Sequence, residues 1–167
     1  MSSASRYCTS TPARPSWADA VVEGRVVSAS TVVQAPAARV FDLLADPSRH
    51  PVLDGSGSVR SVVRGPDRLF LGARFAMAMK MGLPYAIVNR VVEFEEGRRI
   101  AWTHVSRAIW RYELEPLGPT STCVVETFDM RGSPLAAFFE RAGFAARNER
   151  AIVRSLALLA DVAHEVS

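Results

Sequence analysis

The feature that most restricts how this chain can fold is a series of short β-branched and aromatic runs, followed by one long amphipathic segment. Turn-forming residues separate the runs, for example Gly65-Pro66-Asp67 and Glu96-Gly97. Six such runs occupy roughly residues 58–64, 72–81, 85–95, 98–105, 108–116 and 121–131. Short consecutive strands joined by tight turns predict an antiparallel meander.

Before the meander, the sequence predicts one further strand and two short helices. The strand covers residues 26–34 and ends at Pro36, because proline lacks the N–H that a central strand donates. The first helix has one apolar face, formed by Val40, Phe41 and Leu44. A second short helix follows, over about residues 47–53.

A long helix closes the chain. Ser133-Pro134 supplies an N-cap and a proline for the first turn, and the helical pattern continues to about His164, a length of roughly 46 Å. Its apolar stripe predicts that it lies on the sheet. The expected fold is α+β, with about seven antiparallel strands curved around this helix.

Small residues in the first half of the long helix, such as Ala142, Gly143 and Ala145, leave space between helix and sheet. Close packing and room for a ligand are both consistent with them. Because glycine inside a helix costs about 1 kcal/mol relative to alanine, a compensating reason is expected.

The alternation of side chains along each strand predicts which residues face that space. Outward Lys80 places Phe75, Met77, Met79 and Met81 inside, and outward Arg111 and Glu113 place Trp110 and Tyr112 inside. Bulk predicts that Trp102 and His104 also face inward. Outward Glu93 and Glu95 place Val88, Arg90, Val92 and Phe94 inside unless a bulge intervenes.

An inward Arg90 would need a carboxylate, a ligand or a route to water, since an unpaired buried guanidinium is too costly. Glu149 on the helix and Glu126 on the last strand are possible partners. An ordinary ion pair or an arginine reaching the sheet edge explains the pattern equally well. The predicted ligand-binding residues are Phe75, Met77, Met79, Met81, Val88, Arg90, Trp102, His104, Trp110, Tyr112, Phe138, Ala142 and Glu149.

The segments VQAPAARVFDLLADPSRHPVLDGSGSV, RVVEFEEGRRIAW and RYELEPLGPTSTCVVETFD resemble the START-related SRPBCC superfamily, the helix-grip fold. The likeness covers about residues 24–165 and is strongest to its polyketide cyclase/dehydrase and lipid-transport group. This resemblance implies a deep apolar cavity for lipids, sterols, polyketides or hormones. It carries no shared catalytic motif.

Composition excludes several other classes. The chain of 167 residues is 49% hydrophobic and 22% charged, with a net charge of +3. Its arginines are scattered, whereas nucleic-acid binders cluster them. Its apolar runs are far shorter than the roughly 20 residues of a membrane span, and a secretory signal is lacking, which predicts a cytoplasmic protein.

The chain is expected to comprise a flexible tail over residues 1–20 and a ligand-binding domain over residues 21–167. Cys8 and Cys123 do not indicate a disulfide framework. The three histidines are far apart, so no metal site is predicted. No cofactor is predicted either, since the Gly-Ser-Gly-Ser turn at 55–58 lacks the third glycine of a dinucleotide fingerprint.

Three functions are consistent with these patterns. The first is binding or carrying a hydrophobic small molecule. The second is a polyketide cyclase or dehydratase in which Arg90 holds an enolate or carboxylate, and His104 or Tyr112 moves a proton. The third is a protein-interaction module that uses the tail and Trp17.

Overall fold

A computed structural model of the chain describes residues 21–141 and 143–165. Its eight strands are β1 (Val21–Glu23), β2 (Val26–Val33), β3 (Val59–Arg64), β4 (Arg74–Met81), β5 (Leu83–Glu95), β6 (Arg99–Thr103), β7 (Ile109–Gly118) and β8 (Ser121–Asp129). Its helices are α1 (Ala37–Ala45), a 3-10 turn (Pro47–Arg49), α2 (His50–Leu53), α3 (Ala136–Arg141) and α4 (Phe144–Glu165).

The strands form one antiparallel sheet in the order β1-β2-β8-β7-β6-β5-β4-β3. The predicted α+β helix-grip fold is confirmed, with eight described strands rather than about seven. The additional strand is β1, in which Val21 pairs with Ser28 of β2. A run of three residues is too short to be recognised as a strand without its partner. The predicted tail over residues 1–20, including Trp17, lies outside the described residues.

Helix α4 packs against β2 and β8 on the inner face of the sheet and touches α1 and α2. The side chains that it buries are Ile152, Leu156, Leu159 and Ala163. Val40, Phe41 and Leu44 of α1 are buried, as the apolar face of that helix predicted. Among the described residues, every helix is too short or too polar to cross a bilayer.

The predicted long C-terminal helix is confirmed as α4, but its predicted start near Ser133 is wrong, because the chain breaks at Gly143 and a separate helix, α3, precedes α4. Gly143 lies at the break with a φ of 73°, and its N–H donates a hydrogen bond to the carbonyl oxygen of Glu140. A glycine in the left-handed region is a common way to end a helix. The apolar periodicity continues through the break, which is why the pattern alone predicted one helix.

Cys123 in β8 is buried and disulfide-bonded. This corrects the prediction that the cysteines do not form a disulfide. Cys8 lies outside the described residues.

The loop after α2 approaches α4 at backbone distance. The N–H of Gly55 donates a hydrogen bond of 2.9 Å to Ser155 Oγ, and a Cβ at Gly55 would lie 2.1 Å from the carbonyl oxygen of Ala151. Asp54 shapes the same loop, because its carboxylate accepts hydrogen bonds from the N–H groups of Ser56, Ser58 and Val59. Glycine at position 55 therefore allows the loop to sit directly on the helix.

Replacing Gly55 with alanine should force the loop away from α4, since the new methyl group meets backbone atoms that cannot move independently. We expect the free energy of unfolding in urea to fall by about 2 kcal/mol or more, in the range of overpacked cores. Gly118→Ala is the control, because a Cβ there meets only Ser121 Oγ at 3.6 Å. Equal stability of the two variants would contradict the close approach.

Candidate ligand-binding cavity

A cavity of about 460 Å³ lies between the inner face of the sheet, the α2 loop and the start of α4. This volume falls within the usual range for small-molecule sites, roughly 300–1,000 Å³. Its apolar wall consists of Leu44, Leu53, Val59, Phe75, Met77, Met79, Met81, Tyr85, Ile87, Trp102, Val105, Ala108, Trp110, Tyr112, Phe128, Met130 and Leu135. Its more polar wall residues are His50, Asp54, Ser56, Ser58, Asn89, His104, Ser106, Arg147, Asn148 and Ser155.

The structure places most of the predicted inward residues on this wall. Strand β4 pairs with β5 without interruption, so its strict alternation brings Phe75, Met77, Met79 and Met81 to the cavity. Trp102 of β6, His104 in the following loop, and Trp110 and Tyr112 of β7 also line it. These residues come from three parts of the meander, and the curvature of the sheet brings them together.

The predicted orientation of β5 is wrong for Val88 and Arg90. A β-bulge lies where the pairing with β6 shifts between Val91 and Glu93, and it reverses the alternation at that point. Glu93 and Glu95, from which the orientation was predicted, follow the bulge, so they indicated the wrong face for the residues before it. Val88 is 58% exposed and Arg90 is exposed on the outer face.

The inward residues of β5 are instead Tyr85, Ile87 and Asn89. Phe94 does point into the core, where its ring meets that of Phe41 edge-on at 5.2 Å. Val92, also predicted to face inward, is exposed.

Arg90 is therefore not a cavity residue, and its guanidinium lies on the opposite face of the sheet from a ligand in the cavity. In the β4–β5 ladder the backbone of Arg90 is opposite that of Arg74. Because the side chain of Arg90 is exposed to solvent, it does not need a buried carboxylate partner. Of the described residues of α3 and α4, Arg147, Asn148 and Ser155 reach the wall. Phe138, on α3, is 65% exposed, and Glu149 lies outside the lining. Ala142 lies outside the described residues.

A cluster of rings forms one end of the cavity. His50 stacks on Trp102 with ring centroids 4.9 Å apart and meets Phe75 edge-on at 5.4 Å. Trp102 in turn contacts Tyr112, with ring centroids 5.8 Å apart. Stacked and edge-on rings add attraction to the burial of their surfaces, so this wall is rigid and suited to flat apolar molecules.

His50 is held in one tautomer. Its Nε2 lies 2.9 Å from the carbonyl oxygen of Leu44, which can only accept, so Nε2 carries the proton and Nδ1 is an acceptor. Burial lowers the pKa of His50, against smaller opposing effects from the Leu44 hydrogen bond and the charges of Asp46 and Asp54. The imidazole is therefore neutral at pH 7.

Glu126 is a polar group that the sequence indicated only as a partner for Arg90. It lies on β8 directly across from Tyr112 and is fully buried. Trp110 Nε1 donates a hydrogen bond of 2.8 Å to Glu126 Oε1, whereas Oε2 has no well-formed hydrogen bond within residues 21–141 and 143–165. The sequence feature that could have indicated this site is the single carboxylate among the apolar residues on one face of β8.

Burial raises the pKa of Glu126 to about 8, although nearby Tyr112 and Trp110 stabilise its ionised form in part. The carboxyl group is thus mainly protonated at pH 7. Burial also raises the pKa of Tyr112, with a further contribution from Glu126. His50 and Tyr112 on the wall, and Glu126 behind it, are therefore mainly uncharged at pH 7.

His104 is a candidate proton carrier in a different position. Its ring lies beside Ser106, whose N–H is 3.3 Å from Nδ1 and whose Oγ is 3.4 Å from Nε2. Burial lowers its pKa as well. No group of three or more His, Cys, Asp or Glu side chains is placed to hold a metal ion in the described part of the chain.

An open-sided antiparallel sheet, a long C-terminal helix across it and an apolar cavity between them define the class of helix-grip domains. Residues 25–164 match the model of the family described as polyketide cyclase / dehydrase and lipid transport. The chain belongs to this family.

Two relatives come from Mycobacterium tuberculosis, the uncharacterized proteins Rv0088 (strain H37Rv) and MT0096 (strain CDC 1551). They are 43% and 42% identical over 140 residues, which are 81% of this chain and 62% of each relative. This chain therefore matches less than two thirds of their length.

Similar folds occur in solved structures at low sequence identity. The Zhui aromatase/cyclase from Streptomyces sp. R1128 has a TM-score of 0.66 at 19% identity, over 84% of this chain and 94% of that one. Protein Ms6760 from Mycobacterium smegmatis has a TM-score of 0.63 at 16% identity, over 86% and 98%. At such identities the likeness establishes the fold alone.

The raised pKa of Glu126 predicts a measurable dependence of stability on pH. The folded state holds a proton that the unfolded state releases near pH 4.5, so this contribution to stability is complete below that pH and is lost as pH rises through about 8. Between pH 7 and 9 the loss should be about 1.4 kcal/mol.

Glu126→Gln should remove most of that slope, because a carboxamide does not titrate. The measurement is the free energy of unfolding in urea at pH 7, 8 and 9, a range above the titration of the histidines. Glu115→Gln is the control on the neighbouring strand. Parallel slopes for wild type and Glu126→Gln would show that the carboxyl titrates normally.

Proposed function

We propose that this domain binds a hydrophobic small molecule, either a lipid or a polyketide-like aromatic compound, in the cavity beneath α4. The observation that carries the proposal is the composition of the wall, where six aromatic side chains and four methionines surround a space of about 460 Å³. Burying apolar surface contributes roughly 25 cal/mol per Å², which makes such a wall attractive to an oily ligand.

The aromatic end favours a flat ligand. Trp102, Tyr112 and Phe75 present ring faces and edges whose positions are fixed by mutual packing. The methionines of β4 have flexible, polarizable side chains and can adapt to a less regular portion of a ligand. The surface that the wall presents to the cavity is mainly apolar, so shape and apolar area should dominate affinity.

The neutral state of His50 and Tyr112 favours an uncharged ligand at this end of the cavity, because neither side chain carries a charge that would pair with the charge of a buried ligand. His50 Nδ1 can accept a hydrogen bond, whereas Tyr112 can donate one. A ligand with a phenol or a ketone would match these groups.

Filling the cavity should abolish binding. Ile87→Trp enlarges a side chain on the wall, whereas Val88→Trp makes the same kind of change on the opposite face of β5. We expect Ile87→Trp to weaken binding of the uncharged probe N-phenyl-1-naphthylamine at least tenfold, with Val88→Trp near wild type. Fluorescence titration gives both affinities.

Native mass spectrometry of the purified protein offers an independent check through any copurifying apolar molecule. A wild-type protein that neither carries such a molecule nor binds the probe would contradict the proposal. Equal binding by Ile87→Trp and Val88→Trp would place the probe elsewhere on the surface.

A second candidate function is cyclisation or dehydration of a polyketide-like ligand. It is favoured by a neutral base, His50, and an acid, Tyr112, on the same wall, where both rings contact Trp102. The protonated Glu126 lies directly across the ladder from Tyr112. His50 Nδ1 would take a proton from the carbon between two ketones. The enolate carbon would then bond to a second carbonyl carbon, whose oxygen would receive a proton from Tyr112.

If catalysis occurs, Tyr112→Phe should lower the rate of ring formation at least 100-fold, in line with the loss of a general acid. Arg90→Ala should leave it unchanged, because Arg90 lies on the outer face. The assay follows cyclised products from a poly-β-ketone generated in situ, with urea unfolding as the control for folding. The same rate for Tyr112→Phe and wild type would exclude this role of Tyr112.

A further inference from the structure

Exposed apolar side chains surround the mouth of the cavity. Met81 and Tyr85 belong to the β4–β5 hairpin, Val105 lies at the tip of the β6–β7 loop, and Leu135 precedes α3; all four line the cavity and are also exposed. Leu83, at the turn of the hairpin between Met81 and Tyr85, is 80% exposed. We refer to these five residues as the apolar rim.

The two tips of the rim have defined conformations. At the hairpin, Gly82 adopts a φ of 78°, and Met81 pairs directly with Leu83. In the β6–β7 loop, Thr103 Oγ1 donates a hydrogen bond of 2.7 Å to the carbonyl oxygen of Ala108, while Arg107 N–H bonds to the carbonyl oxygen of His104. These two hydrogen bonds enclose the tip of the loop, where the side chain of Val105 is 92% exposed.

The apolar rim differs from the rest of the protein surface because its exposed apolar side chains are clustered. Single exposed apolar residues are common on proteins, but a cluster around an opening marks a contact site. Here the cluster borders the opening of an apolar cavity. A surface that covers the rim would therefore also cover the entrance.

The charged residues next to the two tips of the rim are basic. The hairpin half of β4 and β5, residues 76–88, contains Lys80 and no Asp or Glu. The β6–β7 loop contributes Arg107 and no acid over residues 101–112. Lys80 and Arg60 lie together with Pro84 and Tyr85 along the outer side of the hairpin. An anionic surface is the complement of this arrangement.

We propose that the apolar rim docks on the surface of an anionic lipid bilayer, with the cavity mouth facing the acyl layer. Leu83 and Val105 stand on two separate tips, and such protruding aliphatic side chains can enter a bilayer without matching pockets. A protein partner would need a pocket for each tip. Lys80 and Arg107 beside the tips can contact lipid phosphates, as basic residues do at acidic membrane surfaces.

Vesicle flotation tests this docking. The full chain is mixed with vesicles of phosphatidylcholine alone, or of phosphatidylcholine and phosphatidylglycerol at a ratio of about 7:3, and the bound fraction is measured at low and high salt. We expect binding to the anionic vesicles, weak binding to the neutral ones, and a decrease in salt because screening weakens charge attraction.

The double variant Leu83→Ser with Val105→Ser should reduce binding to the anionic vesicles at least tenfold. Its matched control is Leu71→Ser with Val63→Ser, which removes two side chains that are 62% and 60% exposed. Leu71 precedes β4 at the end away from the hairpin, roughly 25 Å distant by strand length. The control should bind within twofold of wild type.

The proposal is overturned if wild type does not float with anionic vesicles, or if both double variants lose binding equally. A dimer in light scattering that only the rim variant loses, without vesicle binding, would assign the rim to a second copy of the chain and also overturn it. Titration of the same samples with N-phenyl-1-naphthylamine tests ligand binding in the cavity separately from vesicle docking. A protein that floats with anionic vesicles but does not bind the probe would contradict the proposed ligand binding and leave the docking proposal intact.

Discussion

The placement of α4 determines the rest of this structure. The helix packs against β2 and β8, at one side of the inner face of the sheet. The inward side chains of β4 and β5 therefore face a space rather than the helix. The Gly55 loop secures this placement, because it contacts the backbone of α4 at Ala151 and Ser155. The cavity exists because the helix covers part of the sheet and the loop holds it there.

The same burial that forms the cavity determines its electrostatics. Removing His50 and Glu126 from water disfavours their charged forms, so the base loses its proton and the acid keeps one. The neutral His50 and Tyr112 line the cavity and can exchange hydrogen bonds with a ligand without attracting ions, whereas Glu126 lies behind this wall. This is consistent with the apolar character of the wall and with a family that includes both lipid transport and ring-forming activities in its description.

The alternation of side chains along a strand predicted the inward residues correctly on β4 but not on β5. On β4 the rule placed Phe75 and the methionines on the cavity wall, since the pairing with β5 is regular. On β5 the same rule placed Val88 and Arg90 inside, and the bulge near Val92 made that wrong. A bulge leaves no mark in the sequence when neither glycine nor proline forms it. Glu126 was underrated for a related reason, because its importance depends on Trp110 and Tyr112 across the ladder.

By itself, the sequence determined the order of strands and helices, the antiparallel meander, the apolar face of α1 and the family. These follow from periodicity, turn residues and local motifs, all of which act over a few residues. Tertiary structure alone decided the face that each residue of β5 presents, the break at Gly143, and the pairing of Glu126 with Trp110. These depend on contacts between residues distant in the chain, where the register of one strand against another sets the direction of every side chain.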